Sequence, residues 1–289
     1  MIYFKTNEIE NFLNEDVPYF DLTSQLLGID QNEVEISFIT REDGIVCGTE
    51  EVLKIFDLLH IKPIDFIRSA TPVCANTVLI KGIGQEYKVN SAWKISQNIL
   101  EYASGIATKT NRVVRLASGI PIYTTRKHFP GTKKMSIKAI LSGGALPHRL
   151  GLSETILIFK QHINLIGGFD NLLIKLKEIK SRYCSKKICV ETNNFEEAYS
   201  LAKIGVDIIQ FDKVAPARLI EIISKLKKDF SILCYVTGGI REDNVQSYVD
   251  AQVDGFVTTD LYYAKTLDIK VEIKTIGENC NLGEKRDEK

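Results

Sequence analysis

Short apolar segments alternate with longer amphipathic segments between residues 112 and 265, and this alternation limits the chain to few folds. The longer segments repeat their apolar residues at helical spacing, which indicates strands followed by helices. This order is typical of parallel strands joined by right-handed crossovers, in an open doubly wound sheet or a closed barrel. The number of repeats favours an α/β barrel of the TIM type in an incomplete form. The predicted strands are PIYTT (121–125), TILIF (155–159), KICVET (187–192), DIIQFD (207–212), SILCYVTGG (231–239) and DGFVTT (254–259), and the predicted helices are KKMSIKAILSGG, GFDNLLIKLKEIKSRY, NFEEAYSLAKIG, APARLIEIISKLKKD and REDNVQSYVDAQ.

The part of the chain before this repeat has a different pattern. Strand-like runs there mix with two helical stretches, EEVLKIFDLLH and VNSAWKISQNILEYASGIAT. We therefore predict an N-terminal α+β sandwich domain over residues 1–111 and a barrel domain over 112–265. Residues 266–289 are predicted to form a C-terminal strand that packs back on the N-terminal domain, followed by a disordered polar tail, NCNLGEKRDEK. The strand-like runs before residue 112 are VEISFIT (34–40), IDFIRS (64–69) and TVLIKGIG (77–84).

The charge balance argues against two classes of function. The 289 residues carry 37 Lys and Arg against 37 Asp and Glu, whereas a dedicated nucleic-acid binder needs a basic surplus for phosphate contacts. No run reaches the roughly 18 apolar residues of a membrane span, and the start lacks the layout of a signal peptide. We expect a cytoplasmic protein whose six scattered cysteines are free thiols.

One segment is strongly cationic although the whole chain is neutral. Residues 102–153 contain no Asp or Glu, so their positive charge has no local partner in the sequence. A local excess of this kind favours a small anionic ligand over a large one. The nine cations of the segment are Lys109, Arg112, Arg115, Arg126, Lys127, Lys133, Lys134, Lys138 and Arg149.

Polar and charged residues also lie at the predicted strand ends, where an α/β barrel carries its active site. Glu191 and Asp212 follow neighbouring strands and could hold Mg²⁺, which prefers one or two carboxylates together with water and substrate phosphates. Thr237, Gly238 and Gly239 precede a predicted helix and suit a phosphate, because glycines allow close approach to backbone N–H groups. Arg126, Lys127 and Arg149 suit other anionic groups. His148 is as suited to contacting a ligand as to packing.

These motifs together resemble the quinolinate phosphoribosyltransferase family over nearly the whole chain. The resemblance rests on TRKHFPGTKKMSIKAILSGGALPHRLGLSE, DVPYFDLTS, SGIAT, VETNNFEEA, IIQFD and TGGI. It implies a homodimer. It also implies a reaction that needs Mg²⁺, in which a ring nitrogen of an acidic heterocycle attacks the anomeric carbon of phosphoribosyl pyrophosphate (PRPP) and pyrophosphate is released. By the same resemblance, the catalytic residues are Lys127, Glu191 and Asp212, and the two acids among them face the metal. The anion pocket comprises Arg126, Lys127, His148 and Arg149. The 5′-phosphate is held by Thr237, Gly238 and Gly239.

The chain departs from the family pattern at positions that bear on the acceptor. Lys94 replaces an arginine that the resemblance places across the dimer interface, and Phe159 replaces a pocket lysine. Lys160 falls on the next position, which in a strand faces the opposite side. Lys213 replaces an asparagine, and TTDLYYAKTLDIK replaces a turn of small residues. With AWKISQNILEYASGIAT and GLSETILIFKQH, these features resemble the ModD subgroup, which is associated with molybdate-transport genes.

The leading interpretation is a phosphoribosyltransferase with an acceptor other than quinolinate, because an unpaired buried carboxylate would cost several kcal/mol where Phe159 replaces lysine. One alternative is a genuine quinolinate phosphoribosyltransferase of NAD biosynthesis. Another is a non-catalytic protein that binds an anion or a nucleotide and is linked to molybdate transport. RNA binding through residues 102–153 is disfavoured, since that segment should fold inward and the whole chain is neutral.

Overall fold

The computed structural model describes residues 2–276. These residues form two compact units, one holding the chain up to Thr108 together with the residues from Lys265 onward, and the other holding Lys109–Ala264. The predicted polar tail and Cys280 lie outside the described residues, and the five described cysteines are free thiols. No helix within residues 2–276 combines the length and the apolar character that crossing a membrane requires.

The first part of the chain supplies short helices and the strands of an antiparallel sheet. Its last helix, α4, has 31 residues, continues past Thr108 and ends within the second unit, so it also passes the predicted boundary at residue 111. The elements are α1 (Thr6–Asp16), α2 (Leu22–Leu27), β1 (Glu33–Thr40), β2 (Gly44–Ile45), α3 (Thr49–Leu58), β3 (Lys62–Phe66), β4 (Pro72–Val73), β5 (Val78–Gln85) and α4 (Glu86–Leu116).

The second unit is a seven-stranded parallel sheet with helices between its strands. The strand order is β7-β6-β12-β11-β10-β9-β8, so β8 to β12 lie side by side in chain order and β6 pairs with β12. The open edges are β7 and β8, which do not pair. The predicted α/β fold with an incomplete barrel is therefore confirmed. The elements are β6 (Ile122–Thr124), α5 (Lys133–Ser142), β7 (Leu146–Pro147), β8 (Ile156–Ile158), α6 (Lys160–Leu165), α7 (Phe169–Arg182), β9 (Ile188–Thr192), α8 (Phe195–Ile204), β10 (Ile208–Asp212), α9 (Pro216–Asp229), β11 (Leu233–Thr237) and β12 (Gly255–Thr258).

The final strand of the described chain, β13 (Ile269–Thr275), belongs to the first unit. It pairs with β1 in a four-stranded antiparallel sheet of order β13-β1-β5-β3. One face of β1 is apolar, because Val34, Ile36 and Phe38 alternate along the strand and are buried. Helix α3 packs closely on β5, where a Cβ on Gly82 would lie 2.7 Å from the Phe56 ring, and only glycine allows this approach.

The sequence prediction was wrong about one helix of the barrel. REDNVQSYVDAQ forms no α-helix; instead a 3₁₀ helix spans Val245–Ala251. The Asn244 side chain accepts from the Arg241 N–H (2.8 Å) and donates to the Gly239 carbonyl (2.8 Å). These bonds fold the first residues of the predicted helix into a turn, because a short amide side chain competes with the helical backbone for partners. The short helix α6 was not predicted.

Candidate active site

A cavity of about 900 Å³ opens at the C-terminal ends of the barrel strands, and all its lining residues belong to the second unit. The structure brings most of the predicted site residues together here, although they come from six different strand ends or loops. The predicted residues that line the cavity are Arg126, Lys127, His148, Arg149, Phe159, Glu191, Asp212, Thr237, Gly238 and Gly239.

Two predicted substrate-binding residues are not among those that line the cavity. Strand β8 ends at Ile158, so Lys160 is the first residue of α6 and not a strand residue facing away from a pocket. The expectation of a strand position at Lys160 was wrong because the backbone turns into a helix after Phe159. Lys94 lies in the first unit, on α4, where its ammonium donates to Gln97 Oε1 (3.0 Å) and lies 4.8 Å from the Trp93 ring.

The carboxylates Glu191 and Asp212 end neighbouring strands, β9 and β10. Gln210 pairs in register with Glu191 across these strands, and its Nε2 donates to Glu191 Oε2 at 2.9 Å. Burial raises the pKa of Glu191, and the nearby Asp212 charge raises it further, whereas Gln210, Lys127 and Lys213 favour the ionised form. The two acids are thus close enough to repel each other.

Three cations of the basic segment line this cavity. Arg126 and Lys127 are exposed at its rim, whereas Arg149 is only 8% exposed, and its Nη1 contacts the Thr155 carbonyl at 3.5 Å. Burial lowers the pKa of Arg149, and the charge of Arg126 adds to this effect. Within residues 2–276 none of the three side chains forms an ion pair, so a negatively charged ligand has three free cations to meet.

Other members of the same basic segment have polar partners in the folded chain. Lys109 pairs with Asp260 (2.9 Å) and Arg112 with Glu242 (2.8 Å), and both acids lie far along the sequence. The Lys133 ammonium donates to the Leu150 carbonyl. The expectation of uncompensated charge therefore holds for the strand-end cations and is wrong for the whole segment.

The Gly238–Gly239 turn follows β11, so it lies on the other side of Asp212 from Glu191. Both glycines have positive φ, +85° and +94°, which side-chain-bearing residues rarely adopt. A Cβ on Gly238 would lie 2.3 Å from Asp212 Oδ1, so the carboxylate packs directly against this glycine. The Thr237 hydroxyl donates to the Val257 carbonyl (3.0 Å) and thereby ties the turn to β12.

An aromatic cluster packs around His148, one of the residues that line the cavity. The Tyr123 and Tyr235 rings stack with centroids 5.0 Å apart, and the His148 ring meets each edge-on at 6.3 and 6.1 Å. Both His148 ring nitrogens are buried and have no hydrogen-bond partner in the described part of the chain. Burial lowers the pKa of His148, and the adjacent Arg149 charge lowers it further, so both effects favour the neutral imidazole.

We expect His148 to make the protein less stable as the pH falls below the usual histidine pKa. In that range His148 is more protonated in the unfolded chain than in the folded chain, so the free energy of unfolding falls by up to about 1.4 kcal/mol per pH unit. The other ionisable groups facing the ring are Tyr123, Tyr235 and Arg149. Urea unfolding of wild type and His148→Gln between pH 5 and 8 measures the effect. Parallel stability curves for the two proteins would contradict it.

Several residues that line the cavity were not predicted from the sequence or were given no role there. Gln210, which orients Glu191, could have been found by counting every second residue of a barrel strand, since Ile208, Gln210 and Asp212 share one face. Lys213 was noted only as a departure from the family. Arg241 and Tyr263 carried no signal, because they lie in loops that have no strand or helix periodicity.

The carboxylates Glu191 and Asp212 are candidate ligands for Mg²⁺. Within the described residues no group of three or more His, Cys, Asp or Glu side chains could hold a metal ion. Mg²⁺ does not need such a group, because it is commonly bound through one or two carboxylates while water and substrate phosphates fill its other positions. In the same part of the chain, Glu191 keeps Oε1 free of protein hydrogen bonds, and Asp212 lines the same cavity, so the pair fits Mg²⁺ bound together with a phosphorylated ligand.

Comparisons with known proteins agree along the chain. The family model for the C-terminal domain of quinolinate phosphoribosyl transferase matches residues 106–272, and the model for the N-terminal domain matches residues 21–104. The ModD protein of Pasteurella multocida (strain Pm70) is 33% identical over 279 residues, covering 95% of this chain and 99% of that protein. A protein of Archaeoglobus fulgidus, named as a probable nicotinate-nucleotide pyrophosphorylase, is 26% identical and covers 89% of this chain and 99% of its own length.

Solved structures show the same fold. The nicotinate-nucleotide pyrophosphorylase from Francisella tularensis aligns with a TM-score of 0.85 at 24% identity, covering 94% of this chain and 98% of that chain. The enzyme of the same name from Ehrlichia chaffeensis aligns with a TM-score of 0.87 at 22% identity, covering 95% and 100%.

Proposed function

Since the chain belongs to the quinolinate phosphoribosyl transferase family, whose members are phosphoribosyltransferases, we propose that it transfers phosphoribosyl from PRPP to an acidic heterocycle other than quinolinate. One observation carries the proposal. A single cavity places free cations, Arg126, Lys127 and Arg149, together with the carboxylates Glu191 and Asp212. Pyrophosphate and an acidic ring need the cations, and a positively charged ribosyl group needs the carboxylates.

The reaction needs no covalent protein nucleophile. The lone pair of the acceptor ring nitrogen forms the new bond to the anomeric carbon, while the bond from that carbon to the pyrophosphate oxygen breaks and its electron pair leaves with pyrophosphate. Positive charge develops on the ribosyl group between the two events. Glu191 and Asp212 can stabilise this charge electrostatically, and Lys127 can stabilise the negative charge of the leaving group.

Mg²⁺ is the cofactor that we propose for this site, held by Glu191 and Asp212. When bound, it would neutralise negative charge on the pyrophosphate oxygens. The protein groups act beside it: Gln210 fixes the Glu191 carboxylate, and Gly238 leaves room for that of Asp212. The homodimer and the cytoplasmic location stay predictions.

Phe159 is the reason for proposing an acceptor other than quinolinate. Its ring lines the cavity and stacks on His162 with centroids 5.7 Å apart, where the family resemblance implies a lysine. A phenyl ring offers a carboxylate no hydrogen bond or opposite charge, and burying an unpaired charge is costly. The acceptor we propose is therefore a ring with one acidic group near Arg149 and an apolar edge near Phe159.

A pyrophosphate-release assay tests this function. Wild-type protein is supplied with PRPP, Mg²⁺ and single heterocyclic acids that include quinolinate and monocarboxylated rings. Faster release with a monocarboxylate than with quinolinate supports the proposal. Release that is fastest with quinolinate favours the alternative of a genuine quinolinate phosphoribosyltransferase of NAD biosynthesis, and tight PRPP binding without release from any acid favours a binding protein.

Phe159→Lys should shift the acceptor preference toward dicarboxylates. The new ammonium gives a second carboxylate a charge-assisted partner, which is worth about 1.5–3 kcal/mol, or roughly 10- to 100-fold in kcat/KM for quinolinate. Phe159→Leu is the matched control, because it also removes the ring and its stacking on His162 but adds no charge. Equal quinolinate turnover by the two variants would contradict this explanation of acceptor choice.

A further inference from the structure

Lys213 has an unfavourable backbone conformation at the cavity. It follows the last residue of β10 with φ at +56°, and its N–H donates to the Thr237 carbonyl at 2.9 Å. A lysine in the left-handed region costs roughly 1–2 kcal/mol, whereas Asn and Gly tolerate it. Strained positions of this kind cluster at ligand sites. The other described non-glycine residues with positive φ do not line the cavity; they are His60, Ala70, Asn76, Ser118 and Gln252.

The strained backbone brings the Lys213 side chain beside the Gly238–Gly239 turn. Its Cγ lies 2.5 Å from where a Cβ of Gly238 would be, so its aliphatic stem covers that glycine. Lys213 lines the cavity, and its positive charge favours the ionised form of Glu191. Within residues 2–276 the ammonium forms no hydrogen bond and no ion pair, so it is available to a ligand.

Arg241 brings a second cation to the same turn. It comes two residues after Gly239 and lines the cavity. Its nearest ion-pair contact is Asp243 at 3.9 Å, and both side chains are more than half exposed, so this pair is weak. Two cations therefore flank the two glycines of the turn. Lys213 lies beside the turn in space, and Arg241 follows it in the sequence.

The family resemblance already implies a 5′-phosphate position at Thr237, Gly238 and Gly239. We propose that two further residues of this chain, Lys213 and Arg241, form a cationic clamp on that phosphate monoester of the ribosyl donor. This clamp is separate from the cations Arg126, Lys127 and Arg149, which meet pyrophosphate and the acceptor. A phosphate monoester carries about −1.5 to −2 charge at pH 7, and two cations match it. The inference rests on the proposed function for the identity of the donor, but not for the chemistry of the phosphate.

The test uses calorimetric binding of ribose 5-phosphate, inorganic pyrophosphate and PRPP to the full-length protein. Lys213→Asn removes the charge and keeps a residue that suits the left-handed backbone, so the melting temperature should not fall. Ribose 5-phosphate and PRPP should bind at least about 10-fold more weakly, because a charge-assisted hydrogen bond is lost. Pyrophosphate affinity should change less than about twofold, since Lys213 does not meet this group. Arg241→Gln should weaken the same two ligands and leave pyrophosphate affinity nearly unchanged. Lys213→Arg keeps the positive charge and should therefore retain most of the wild-type affinity.

Arg218→Gln, on the exposed face of α9, controls for loss of one positive charge and should bind all three ligands like wild type. Wild-type affinity of Lys213→Asn for ribose 5-phosphate and PRPP would overturn the clamp while leaving the transferase proposal intact. Selective loss of ribose 5-phosphate binding in a protein that releases no pyrophosphate would support the clamp and reject the transferase. Equal weakening of all three ligands would overturn the clamp, since it assigns pyrophosphate to other residues.

Discussion

Glu191→Gln is expected to slow pyrophosphate release by about 100-fold or more without unfolding the protein. The carboxylate acts on the positive charge that develops at the anomeric carbon, and a neutral amide of the same size cannot replace that effect. The amide oxygen of the variant side chain can still accept from Gln210 Nε2, which now donates to Glu191 Oε2 at 2.9 Å, so the strand ends should keep their geometry. The loss should therefore appear mainly in kcat, as measured by steady-state pyrophosphate release.

Glu196→Gln provides a matched control for this substitution. It makes the same chemical change five residues along the chain, in the first turn of α8, where Glu196 is exposed and lies outside the cavity lining. Its rate should equal that of wild type, and both variants should melt at similar temperatures. A Glu191→Gln rate within about threefold of wild type would remove Glu191 from the catalytic group, since preorganised charges are typically worth far more.

Gly238→Ala is expected to reduce both stability and activity, through two separate effects. A positive φ of 85° strains alanine by roughly 1–2 kcal/mol. The new methyl group would also lie 2.3 Å from Asp212 Oδ1 and 2.8 Å from the Lys213 nitrogen, so the Asp212 carboxylate must move. Overpacking of this kind costs about 1–3 kcal/mol more. We expect a total loss of about 2–5 kcal/mol in urea unfolding and a rate at least 10-fold lower, because displaced catalytic groups lose orientation.

Gly239→Ala separates the strain from the collision. Its φ is also positive, +94°, but nothing lies within 4 Å of the new Cβ. This variant should lose only the backbone contribution of roughly 1–2 kcal/mol and should leave Asp212 in place. If the two alanine variants lose the same stability and the same activity, the close packing of Asp212 on Gly238 contributes to neither.

The active-site end of the barrel could be predicted because strand periodicity is local. Alternation along β9 and β10 turns every second side chain inward, and parallel strands bring their C-terminal ends to one edge. Glu191, Asp212 and the two glycines could therefore be placed together before any distance was known. Lys160 was misplaced because the position where β8 turns into α6 depends on backbone geometry that strand periodicity does not describe.

The α/β class, the incomplete barrel and the set of polar residues at its strand ends could be predicted from the chain's local patterns, because they follow from apolar periodicity over short stretches. The tertiary structure alone decided which charges are free. Lys109 meets an acid 151 positions away in Asp260, whereas Arg149 and Lys213 meet none between residues 2 and 276. The stacking of Tyr123 on Tyr235 and their edge-on contacts with His148 were likewise decided by the fold. Ion pairs and ring contacts depend on distances of a few ångströms between remote segments, and only the folded chain sets those distances.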